Sequence, residues 1–135
     1  MPFISNLFFK TAIVFLIIGV AIGLQMSISR DHTVFGAHAH LNLLGWVTSA
    51  IFGGYYALNP AKAAGRWPIA HYAVYTLGIV IMIPSLYMLL RGDVAFEPGV
   101  AIGSILAFIG ILMFAVVVFS PARATSRMPG AAPAE

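Results

Sequence analysis

Read from its amino terminus, the chain alternates long runs lacking Asp, Glu, Lys and Arg with short polar breaks. The runs are Thr11–Ser29, His32–Ala61, Trp67–Leu90 and Pro98–Ala122. Each is long enough for the ~20 apolar residues that cross a hydrocarbon core. The breaks hold Arg30-Asp31, then Lys62 to Arg66 with Gly65, then Arg91-Gly92-Asp93 to Glu97-Pro98. Short polar turns of this kind join antiparallel helices. The pattern predicts an all-α fold, a bundle of four transmembrane helices over about 6–29, 35–59, 67–90 and 97–120. They form one domain, 1–122, and the Ala- and Pro-rich stretch 123–135 reads as a disordered tail. Lys10 followed by a long apolar run has some features of a leader peptide. The run is long for the apolar region of a leader, so a retained helix is expected.

Composition agrees with lipid as the solvent. Of 135 residues, 61% are hydrophobic and 8% charged, against roughly 25% charged in soluble domains. The mean hydropathy is +0.97. With no cysteine, disulfides, iron–sulfur clusters and covalently attached c-type heme are excluded. The pI near 9.6 comes from a few scattered basic residues and gives no nucleic-acid surface. Sorting them by turn places Lys10, Lys62, Arg66, Arg123 and Arg127 on one side. Arg30 and Arg91, offset by Asp31, Asp93 and Glu97, fall on the other. The positive-inside rule then puts both termini in the cytoplasm.

The chemistry concentrates in "FGAHAHLNLLGW", Phe35 to Trp46. At about 100° per residue, His38 and His40 leave their helix about 200° apart. They cannot readily grip one ion, so each imidazole serves a different neighbour. A pair of ionisable side chains inside a membrane helix is a functional signal. Heme suits such isolated histidines, since each side of the iron takes one imidazole and the macrocycle is apolar. No other helix of this chain offers a histidine at the same depth; loop-borne His32 is a weaker candidate, and the missing ligand can come from another copy of the chain. His71 falls at the opposite membrane face, in "RWPIAHYAVY", where Trp67, Tyr72 and Tyr75 read as an interfacial aromatic belt. Asn42, one turn beyond His38, shares its face, and Trp46 continues it. Arg30, His32 and Arg91 belong to the outer side, where heme propionates would need donors. The pentapeptide "GVAIG" occurs at Gly19–Gly23 and again at Gly99–Gly103. Both copies are GxxxG, a close-contact surface in lipid. Gly53-Gly54 and Pro84 are candidate loosening points.

The segment "GAHAHLNLLGW" resembles subunit I of the heme-copper oxidase superfamily, in particular the C-type cytochrome oxidases and nitric oxide reductases. There a His-x-His pair on the tenth helix ligates two hemes, one histidine to each. Gly45-Trp46 extends the likeness to the C-type enzymes. The match covers about a dozen residues, and beyond it the likeness lies in hydropathy and helix count. That subunit has twelve helices in three arcs of four, and its tenth helix is the second of its arc. The resemblance therefore implies one arc standing alone, rebuilt as a twelve-helix ring by a homotrimer in a bacterial inner membrane. It implies heme b, held non-covalently between protomers by His38 of one and His40 of the next. A quinol or a cytochrome is the class of electron partner such a heme would have. The copper ligands, the cross-linked tyrosine and the glutamates of those enzymes have no counterpart here. None of Tyr55, Tyr56, Tyr72, Tyr75 and Tyr87 matches that tyrosine, so an oxidoreductase role is left open. Electron transfer or binding of a diatomic gas is the expected activity. The alternative is a copper or zinc protein using His32, His38 and His40, with protomers pooling imidazoles around an axis.

Overall fold

Apolar runs of this length, lacking hydrogen-bonding side chains, can cross lipid only as helices that satisfy their own backbone. The computed structural model describes residues 1–121, and over that range the chain is helical, with no strand. Helix α1 runs Phe3–Ser29. A second rod is built from α2 (Phe35–His40), a π-helical segment (Leu41–Thr48) and α3 (Ser49–Leu58). Helix α4 runs Arg66–Leu90, and α5 runs Glu97–Phe119 after a 3-10 turn at Val94–Phe96. Three of these, Phe3–Ser29, Arg66–Leu90 and Val94–Phe119, are long and apolar enough to cross a membrane, as in a multi-pass membrane protein. The second rod covers 35–58 and lies between α1 and α4. The predicted tail 123–135 lies outside the described residues.

The turns end where backbone chemistry ends them. Arg30 closes α1 in the left-handed region, with φ 57°. Asp31 then folds back, its Oδ1 accepting from Thr33 N at 2.9 Å and from the Thr33 hydroxyl. Gly92, with φ 98°, reverses the chain after α4, and Asp93 Oδ1 accepts from Ala95 N at 3.1 Å. Between α3 and α4, Lys62 reaches across the bundle. Its ammonium donates to the carbonyls of Val117 (2.9 Å) and Val118 (3.0 Å) and to the Tyr55 hydroxyl (2.9 Å). A cation there satisfies the orphan carbonyls of the last turn of α5 and opposes the helix dipole.

The rods form an open row. Helix α1 packs along the second rod, α4 joins that rod to α5, and α1 and α5 share no extended interface. Both GVAIG copies are contact surfaces, as the sequence predicts, and they serve different pairs. A Cβ on Gly103 would lie 2.5 Å from Met82 N, so α5 meets the backbone of α4 there. A Cβ on Gly19 would lie 2.7 Å from the Asn42 amide, and one on Gly23 2.9 Å from His38 Cε1. The apolar core gathers at the end holding the termini, around Phe8, Tyr56, Tyr75 and Ile79, all at 0% exposure. Outward faces remain bare, among them Ile17, Ile51, Leu77, Ile105 and Phe108.

Two expectations change. Gly53-Gly54 sits in regular α3, where Gly53 admits the α1 backbone and Ser5 Oγ donates to Gly53 O at 2.7 Å. The irregularity in that rod lies upstream, in the π segment. Pro84 likewise stays inside an unbroken α4.

Gly103→Val should destabilise the bundle by about 1–3 kcal/mol through overpacking. Gly54→Ala, where nothing lies within 4 Å of the added Cβ, should stabilise it by about 0.5–1 kcal/mol. Thermal unfolding of the two variants in the same detergent checks the opposite signs.

Candidate functional site

The two histidines leave α2 in different directions and find different partners. His38 is half-buried against α1, its ring over Gly23 and its Nδ1 2.9 Å from Gly19 O. His40 is exposed, and its Nδ1 lies 2.8 Å from Gly36 O, one turn back on its own helix. A carbonyl oxygen only accepts, so in each ring Nδ1 carries the proton when it makes this bond. In the neutral imidazole Nε2 then keeps its lone pair, the arrangement used by metal-ligating histidines. Neither Nε2 has a hydrogen-bond partner among the described residues.

Asn42 joins His38 on the same face. Its Nδ2 donates to His38 O at 2.8 Å and lies 3.3 Å from His38 Nδ1. Beside His40 is a shallow recess of about 210 Å³, lined by Ala39, His40, Leu43 and Leu44. Pockets that enclose a cofactor hold roughly 300–1,000 Å³, so one chain supplies at most one wall of such a site. Trp46 is half-buried and packs onto the apolar core. Arg30, His32 and Arg91 are exposed in the turns at the histidine end. The structure brings His38 and Asn42 together and leaves His40 apart from them. Among the described residues no three His, Asp or Glu side chains gather around a common point. His32, His38 and His40 are not gathered around one point within one chain.

The turns carrying Arg30, Asp31, His32 and Arg91 meet electrostatically. The Thr33 hydroxyl and then the Thr33 N–H hold the Asp31 carboxyl below the usual carboxylate range, with smaller help from the Arg91 and His32 charges.

Helix α4 carries the site that the sequence reading missed. His71 turns into the bundle and is fully buried, at 0% exposure. Its Nδ1 pairs with the Tyr56 hydroxyl at 3.0 Å, and its ring is boxed by Phe8, Phe52, Tyr75 and Phe114. Its Nε2 is sealed without a hydrogen-bond partner, as are Ser49 Oγ and Thr76 Oγ1. Tyr75 also leaves the expected aromatic belt. It lies four residues beyond His71 on the same inward face, and its hydroxyl donates to Leu44 O at 2.7 Å. Tyr72 turns inward too, with its hydroxyl 2.6 Å from Thr11 Oγ1. Trp67 alone stays half-exposed. The signal available in the sequence was His71 and Tyr75 at i,i+4, a spacing that fixes a shared face. Tyr56 gave no signal without the fold.

No protein-family model, curated protein or solved structure matches the chain.

Two measurements check this geometry. Because its folded pKa is depressed, the Asp31 contribution to the turn is present above the ordinary carboxylate pKa and lost as pH falls through the lower value. Thr33→Val should move the Asp31 pKa up toward the ordinary range in a carbon-detected NMR titration; an unmoved value contradicts the assignment. Tyr56→Phe strips His71 Nδ1 of its partner and should cost about 1–3 kcal/mol in detergent unfolding.

Proposed function

We propose that this chain is a membrane-embedded b-type heme protein related to the heme-copper oxidase catalytic subunit. It holds heme between protomers, with His38 of one copy and His40 of the next as axial ligands. The supporting observation is the pair of Nδ1–carbonyl bonds, from His38 to Gly19 O and from His40 to Gly36 O. With Nδ1 donating, each neutral ring would have Nε2 free as the ligand nitrogen, as a pair of axial imidazoles requires. Bound there, heme would supply one-electron transfer to a quinol or cytochrome partner, or diatomic gas binding if an axial ligand is released.

The residues of this chain would do the rest. Gly19 and Gly23 make room for the His38 ring, and Asn42 buttresses the turn that carries it. Leu43, Leu44 and Ala39 offer an apolar wall beside His40. Arg30, His32 and Arg91 stand at the end where propionates would emerge. The open row supports a homotrimer. Its two outer helices, α1 and α5, leave unlike edges that can meet head to tail and close a ring. The distribution of Lys62 and Arg66 against Asp31, Asp93 and Glu97 favours cytoplasmic termini in a bacterial inner membrane.

The test is a reduced-minus-oxidised spectrum of the purified protein, with its heme-to-protein ratio. A sharp alpha band and about one heme per chain are expected. His38→Ala and His40→Ala should each abolish the six-coordinate low-spin signature. A colourless preparation, or low-spin spectra retained in both variants, would defeat the reading.

A further inference from the structure

The π segment begins at Leu41, directly after His40, and runs to Thr48. A π turn bonds residue i to i+5, wider than the α turn, and such turns persist where side chains support them. Three side chains donate to carbonyls in and beside this one. Asn42 Nδ2 donates to His38 O at 2.8 Å, and Thr48 Oγ1 to Leu43 O at 2.8 Å. The third is Tyr75 OH, which donates to Leu44 O at 2.7 Å. Only Tyr75 reaches in from another helix. Its ring sits edge-on to Phe52 of α3 at 5.0 Å between centroids. A Cβ on Gly110 of α5 would lie 2.7 Å from Tyr75 Cβ. Phe52 of α3 and the close α4–α5 contact together place this hydroxyl.

We infer that Tyr75, assisted by Thr48, holds the π segment in its wide turn and so sets the direction in which His38 and His40 leave the rod. Tyr75 is thus a positioning residue for the axial pair, an inference that rests on the heme reading above. Were the segment to tighten into an α-helix by one residue, everything before it would rotate by about 100°. His38 would leave its seat over Gly23, and His40 would swing with it. Phe35, 61% exposed, would take the bearing now held by Val34 or by Gly36, both less exposed. A probe at position 35 therefore becomes less accessible whichever way the rod turns. The chain contains no cysteine, so one introduced thiol reports alone.

The experiment places Phe35→Cys in the full chain in detergent and measures its rate of reaction with N-ethylmaleimide. The same measurement is made with Tyr75→Phe, with Tyr75→Phe plus Thr48→Val, and with Thr48→Ser. Each lost hydroxyl contact should shift the balance from wide to tight turn by about fivefold. Labelling should slow in Tyr75→Phe and more in the double variant, while Thr48→Ser, which keeps a donor, matches the parent. Heme in the double variant should show mixed spin in place of a purely low-spin spectrum. Far-UV circular dichroism confirms folding, and the near-isosteric Tyr75→Phe serves if the double variant does not fold. Unchanged labelling and unchanged spectra in folded variants would overturn the inference. If the parent binds no heme, the heme reading falls, and the labelling rates alone decide whether Tyr75 sets the rotation of the rod.

Discussion

The hydrogen bond between His38 Nδ1 and Gly19 O joins the two oldest problems of a membrane helix, how to hide a polar side chain and how to bring backbones together. In hydrocarbon an imidazole N–H needs a protein acceptor, and helix carbonyls are already engaged. Reaching one sideways requires the neighbouring helix to lie very close. Gly19 and Gly23 provide that closeness, since a Cβ on either would collide with Asn42 or with His38 itself. When Nδ1 donates to Gly19 O, the neutral ring keeps Nε2 unprotonated. One contact therefore settles helix spacing, ring tautomer and the chemistry the ring can offer.

The far end of the bundle solves the polar problem differently. There His71, Tyr56, Tyr72, Tyr75 and Thr11 turn inward and bond side chain to side chain or to a carbonyl. Aromatic rings fill the space between them, and Lys62 ties the closing turn of α5 to the loop above Tyr55. This end is rigid by packing, whereas the histidine end is shaped by glycines and by a widened helical turn. Tyr75 links them, rooted in the aromatic end while its hydroxyl takes a carbonyl of the π segment.

The helices were legible from charge spacing alone, because a bilayer dictates both the length and the limits of an apolar run. The predicted 67–90 is observed as Arg66–Leu90, and 97–120 as Glu97–Phe119. The divergence of His38 and His40, and the contact of Asn42 with His38, followed from angular spacing. The π segment did not follow, because Leu41–Thr48 carries no proline and one of its three supporting side chains, Tyr75, lies far along the chain. His71 and Tyr75 were misplaced for a related reason. Position along a helix gives depth in the membrane but not which side faces a partner, and four rods admit many rotations.

The openness of the row has one further effect. Within one chain, 22% of the apolar window of Phe3–Ser29, 28% of that of Arg66–Leu90 and 22% of that of Val94–Phe119 is buried. Most outward side chains, such as Ile17, Leu77 and Ile105, thus contribute nothing to holding their own subunit together. Exchanging them among Ile, Leu, Val and Phe is free as far as that subunit is concerned. Whatever variation such positions fail to tolerate is a record of what presses on them from outside, a map of neighbours drawn by selection and not by the fold.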